Sequence, residues 1–308
     1  MSVLLETDVE PVVVEQAVER PWRRTLRSFL RSHIAVAALA LLTIIVLAAL
    51  FAPWIVPQNP YDLMQLDILD GMQPPGSLSS NGGFVYLLGS DDQGRDMFSA
   101  ILFGLRISLS VGVLSALIAA LVGASVGLIA AYVGGRTENV IMRIVDMQLS
   151  FPAILVALLI LAILGKGVIN VVLALIIVEW AIYARTARAT ALVESRREYI
   201  EAAQCLGFPS YQIIFRHLFP NCLPPLIVIA TIQIARAISL EATLSFLGLG
   251  VPITEPSLGL LISNGYQYTL SGQFWVALYP GIALLLTIVS INLIGDQVRD
   301  VFNPKGRE

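Results

Sequence analysis

The sequence predicts an all-α polytopic membrane protein with six transmembrane helices and both termini cytoplasmic. Three observations carry this. Hydrophobic residues fill 56% of the 308 positions and charged residues only 13%, with a mean hydropathy of +0.79; so few charges cannot cover so much apolar surface in water. The apolar residues also gather into six runs on the scale of a bilayer, whose hydrocarbon core takes about 20 residues of helix. Finally, the basic residues are distributed unevenly. Five in the leader, Arg136 and Arg143, five between the fourth and fifth runs and three in the C-terminal tail lie on one side, and Arg95, Arg106 and Lys166 on the other, so the count is fifteen against three. That bias marks the richer side as cytoplasmic.

The first twenty residues are acidic and aperiodic, as in a disordered tail. In PWRRTLRSFLRS, Trp22, Leu26, Phe29 and His33 recur at helical spacing beside Arg23, Arg24, Arg27 and Arg31, the pattern of an amphipathic helix on a membrane surface. The leader is too long and its apolar run too extended for a cleavable signal peptide. Ile34 to Ala52 carries no charge; its Leu, Ile, Val and Phe residues contribute about −5 kcal/mol to insertion. Pro53 and Pro57 close it. The chain then turns polar to about Leu88 and reads as an irregular external loop, with Ser90 or Asp91 placed to cap a short helix leading onward.

The second span is expected over about Ile107 to Tyr132, followed by a loop, VGGRTENVIMRIVDMQ. The third starts at Ser150-Phe151-Pro152, with Ser150 as cap and Pro152 in the first turn, and ends near Leu164. Gly165-Lys166-Gly167 forms a short external turn. The fourth runs from Val168 to about Tyr183, the fifth from Leu226 to Leu247. A Gly/Pro-rich loop continues to Phe274, and Trp275 to Ile294 is the sixth. The organisation is thus a cytoplasmic tail with its interfacial helix (1–32), a first span (33–56), an external loop (57–106), a five-helix core (107–294) with a cytoplasmic loop over 185–220, and a cytoplasmic tail (295–308).

That loop contains EYIEAAQCLGFPSYQIIFRHLFP, Glu198 to Pro220. Glu, Ala and Gln favour helix, Gly207 suits a left-handed helix end, and Pro209 suits the first turn of a second helix. A short helix, a tight corner and another short helix are expected.

Other patterns are less informative. Gly123-Ala124-Ser125-Val126-Gly127 matches G-x-S-x-G, but that nucleophile needs a strand–turn–helix elbow; mid-span, glycines four apart make a small-residue packing seam. Gly295-Asp296 lacks the context and the second intramembrane Asp of an aspartyl protease. The cysteines, Cys205 and Cys222, have neither disulfide nor metal spacing and read as buried, inert thiols. Neither histidine belongs to a metal cluster, so no metal site is expected. A net charge of −3 gives no reason for a nucleic-acid partner.

Ionisable residues inside the spans are costly and mark functional faces. Arg236 and Glu241 in the fifth span would cost about 5 to 7 kcal/mol against about −5 from its apolar residues, so that face must meet other helices or a watery cavity. Five residues correspond to about 140° of helix rotation, so the two do not pair face to face. Gln233, Arg236, Glu241 and Ser245 share roughly half the circumference. They are either a polar wall of a translocation path or groups bonded to neighbouring helices. Glu179 in the fourth span has the same two readings.

The EAAQCLG segment, followed nine residues later by HLFP, resembles the EAA signature of ABC importer permease subunits, with His217 and Phe219 replacing aliphatic residues of the pattern. GSDDQGRD, WAIYART, EATLSFLGLG and NLIGDQVRDVFNP are similar to the dipeptide/oligopeptide permease group, and the first of these to its C-type subunit. The resemblance spans about Arg20 to Pro304. It implies a type I ABC importer permease fold in the bacterial inner membrane and a non-catalytic transport role. It implies as partners a homologous second permease, two cytoplasmic ATPases that bind ATP and Mg²⁺, and an external substrate-binding protein. No cofactor is implied in this chain. Glu201, Ala202, Ala203, Gly207 and Pro209 would form the coupling element docked on an ATPase, with both alanines small enough for close approach. Nickel, glutathione or an opine remain alternative cargoes, and a stand-alone channel or secondary transporter an alternative class.

Overall fold

The computed structural model describes residues 27–302, apart from 81 and 253. Trp22, Leu26 and the acidic tail fall outside the described residues, as do positions 303–308; 27–30 are helical. Helix α1, His33–Leu50, starts at Ser32, whose Oγ accepts from Ala35 N. It buries Ala35, Ala38 and Ala49 and turns Ile34, Ile44 and Leu47 outward. Small residues inward and large aliphatics outward is the reverse of a water-soluble helix and suits lipid.

Helix α2, Met97–Val133, has 37 residues and spans about 55 Å at 1.5 Å per residue. It begins ten residues before the expected start at Ile107 and takes in the end of the expected 57–106 loop. The cap is Asp96, which accepts from Ser99 N at 2.8 Å, rather than Ser90 or Asp91. Ser90 Oγ instead bridges Gln73 N and Asp70 O, and Asp91 holds Arg95 at 2.6 Å.

The expected loop after α2 is a helix, α3, Gly135–Leu149. Ion pairs Arg185–Asp146 and Arg188–Glu138 fasten it to helix α5, Val168–Glu194, and Val145 is buried against Ala181 and Ala184. Ser150 is not the cap of the next helix. It closes α3, its Oγ donating to Asp146 O, while Pro152 takes the N-cap position of α4, Ala153–Leu164. The twelve residues of α4 reach only about 18 Å. Five helices among the described residues are long and apolar enough to cross a membrane, and α3 with α4, bent by 90°, supplies a sixth only as a pair.

Helix α5, Val168–Glu194, outruns its expected end at Tyr183. It lies against α2 along the glycine seam: a Cβ on Gly123 would stand 2.6 Å from Tyr183 Cβ, and one on Gly127 2.9 Å from Ala187 Cβ. Helix α6 is Glu198–Cys205. The second short helix expected after the corner is not separate. Helix begins at Ser210, passes through a π-helical turn over Ile213–Leu218 and continues as α7, Phe219–Phe246. Pro224 and Pro225 lie inside α7, where each leaves one bond of the helical ladder unmade.

The Gly/Pro-rich loop before the last span holds one more helix, α8, Leu258–Tyr266, capped by Ser257. Helix α9 runs Trp275–Phe302, past the expected end at Ile294. Trp275 Nε1 donates to Ser90 O at 3.2 Å, and Gly167 N to Gly250 O, so the loops after α1, α4 and α7 meet at one end of the bundle. There a two-stranded hairpin, β1 Ser77–Leu78 and β2 Val85–Tyr86, folds over Asp70. The corner between α6 and α7 lies at the other end, against Tyr132.

Candidate functional site

The corner is assembled from its own backbone. Glu198 and Glu201 occupy the first turn of α6, where carboxylates complement the helix dipole. Gly207 has φ +77, its N–H donates to Gln204 O at 3.0 Å, and Phe208 N donates to Ala203 O at 3.2 Å. This is a Schellman stop, which needs a residue free of a Cβ penalty at that φ. Pro209 stands at the N-cap position of the following helix rather than inside its first turn.

The two alanines divide. Ala203 is buried with Ile200 and Ile213, next to Tyr132, so its small size serves packing within the corner. Ala202 faces outward with Glu201, Gly207 and Pro209. Around them Leu206 is 75% exposed, Phe215 67% and Tyr211 62%, with Phe208 also exposed. Tyr199 OH donates to Glu194 at 2.7 Å and accepts from Asn221 at 3.0 Å, tying α6 to the end of α5 and the start of α7. Burial and the Glu194 bond push that hydroxyl up to about 12, so it stays a proton donor. Cys205 is exposed in the corner and only Cys222 is buried, which corrects the expectation of two buried thiols.

The second site is a cavity of about 380 Å³ where the bend between α3 and α4 meets α5 and α7. Of the four polar residues expected along the fifth span, Arg236 opens onto it; Glu179 of α5 lines it as well. Gln233, Glu241 and Ser245 are buried instead. Glu241 Oε2 accepts from Ser108 Oγ of α2 at 2.7 Å, and its Oε1 from Ser245 Oγ at 2.8 Å. Ser108 had no sequence signal, since it lies 133 positions from Glu241.

Residues 123–308 match the family described as the binding-protein-dependent transport system inner membrane component. The chain belongs to that family. Residues 20–75 of this permease also match the N-terminal transmembrane domain of oligopeptide transport permease C. It is 40% identical over 277 residues to the dipeptide transport system permease protein DppC of Escherichia coli, covering 90% of this chain and 91% of the relative. It is 37% identical over 285 residues to the di/tripeptide transport system permease protein DppC of Pseudomonas aeruginosa, covering 92% of each. The glutathione transport system permease protein GsiD of Pectobacterium atrosepticum is 36% identical over 295 residues, 96% of this chain and 95% of the relative. Among solved structures, the inward-facing MetNI methionine ABC transporter superposes with a TM-score of 0.55 at 24% identity, over 67% of this permease and 97% of that chain. The fold is therefore that of a type I ABC importer permease.

Proposed function

We propose that this permease forms half of the membrane pore of an ATP-driven importer of dipeptides and oligopeptides, with the α6–α7 corner as its contact to a cytoplasmic ATPase. The observation that carries the reading is the corner itself. Leu206, Phe208, Tyr211 and Phe215 project outward from the corner, which is an unusual surface for water and a suitable one for a groove on a partner. Glu201, Ala202, Gly207 and Pro209 lie on its exposed side, and Ala203 braces it from within. Because the corner continues without a break into α7, movement of a docked ATPase passes straight to the helix that carries Arg236.

The partners in this reading are a homologous second permease, two ATPases that hold ATP and Mg²⁺, and an external binding protein; this chain itself performs no catalysis. The basic-residue bias supports cytoplasmic termini and a cytoplasmic 185–220 segment in a bacterial inner membrane. Arg236 and Glu179 face the path; Gln233, Glu241 and Ser245 are buried behind it, where Glu241, braced by Ser245, holds the wall to Ser108 of α2. The relatives named for dipeptides favour peptide cargo, and the one named for glutathione supplies the second reading. Uptake of radiolabelled dialanine by cells lacking and then regaining the chain tests the cargo. Restored uptake, competed by other dipeptides and not by glutathione, supports the proposal; restored glutathione uptake without dialanine uptake overturns the peptide assignment.

A further inference from the structure

We propose that the cavity between α5 and α7 binds the charged ends of a zwitterionic peptide, Glu179 taking the ammonium group and Arg236 the carboxylate. This rests on the reading of the chain as a peptide permease. Glu179 is 1% exposed and lines the cavity, yet neither of its carboxylate oxygens has a hydrogen-bond partner. A buried carboxylate without hydrogen-bond donors is costly, and an ammonium group arriving at the cavity would supply them. Arg236 lines the same space from α7 and is exposed. Its planar guanidinium matches a carboxylate with two parallel donors.

The neighbouring charges are already engaged. Glu241 is held by Ser108 and Ser245, and Asp146 by Arg185. What remains is Glu179, whose two oxygens have no hydrogen-bond partner, and Arg236, whose charge acts on it from the other helix across the same cavity. A peptide with free termini carries the same complement. The space of about 380 Å³ falls within the range of small-molecule sites, roughly 300 to 1,000 Å³, and holds a dipeptide. Val156, Val178 and Ile182 complete the lining with aliphatic surface, which accepts different side chains without selecting one.

The test uses the assembled transporter in proteoliposomes, with Cys205→Ser and Cys222→Ser as background and Val156→Cys or Ile182→Cys, which line the same cavity and leave Glu179 and Arg236 in place, added singly. A small methanethiosulfonate probes each during ATP turnover. The expected result is that dialanine slows both reactions about tenfold when supplied at roughly ten times its Kd. Reaction at unchanged rates with dialanine present would overturn the binding site while leaving the cavity on a water-filled path. No reaction at either position during turnover would overturn the path itself. Glu179→Asp and Glu179→Gln are also compared for dialanine uptake. The carboxylate variant is expected to keep uptake and the amide to lose it, and equal uptake by both contradicts the proposal.

Discussion

Ser108 Oγ and Glu241 Oε2, 2.7 Å apart, join α2 to α7 in the interior of the bundle. Glu241 has no exposed surface, so its carboxyl depends on this bond and those from Ser245 and Ser257. Ser108→Ala removes a donor and is expected to cost about 1–3 kcal/mol, the usual penalty for leaving a buried polar group short of a partner. A lowered thermal midpoint of the detergent-solubilised transporter checks this. Glu241→Leu should also impair dialanine uptake, because α7 loses its polar anchor to α2; unchanged uptake kinetics would show that the anchor matters for packing alone.

The α2–α5 seam makes a second prediction. A side chain at Gly127 meets the Ala184 carbonyl and the Ala187 methyl, atoms that cannot step aside without moving α5. Gly127→Val should destabilise by about 1–3 kcal/mol, as overpacking does. Gly281 in α9 is the control, since a Cβ there meets nothing within 4 Å. Gly281→Ala should be neutral or stabilising by about 0.5–1 kcal/mol through helix propensity. The yield of folded protein after heating separates the two.

Asp70 organises the hairpin end. Burial opposes its charge, but bonds from the Ser80 hydroxyl and N–H, the Ser79 hydroxyl and Tyr86 outweigh that and hold the carboxyl below the ordinary aspartate value of 3.8. A depressed folded pKa contributes stability that is fully present above the unfolded value and is lost as pH falls through the folded one. Protection of the amides in residues 70–90 against hydrogen exchange, corrected for the pH dependence of the intrinsic rate, should therefore fall below about pH 4. Asp70→Asn should raise exchange at neutral pH and remove that acid dependence.

The long apolar helices were legible from composition and hydropathy alone, and the corner from propensity with Gly207. The misses have specific causes. Arg136, Glu138, Arg143 and Asp146 lower the hydropathy of 135–149 enough to hide the helical recurrence of Val140, Ile141, Ile144 and Val145. Arg106 similarly displaced the apparent start of α2, although Asp96 followed by Ser99 is a readable cap. Ser257 offered the same signal for α8, obscured by the surrounding glycine and proline. The 90° bend between α3 and α4 and the meeting of Glu179 with Arg236 had no local sequence signal, because both depend on how α5 packs.

Docking of an ATPase on the corner is read out by co-purification. Membrane complexes carrying Gly207→Asp, which places a side chain at φ +77, or Leu206→Glu and Phe208→Glu, which charge the projecting surface, are compared with wild type. The expected result is normal membrane insertion and pairing with the second permease, loss of the ATPase subunits from the purified complex, and loss of ATP-dependent dialanine uptake. Variants that retain the ATPases and transport at the wild-type rate would contradict docking at this corner.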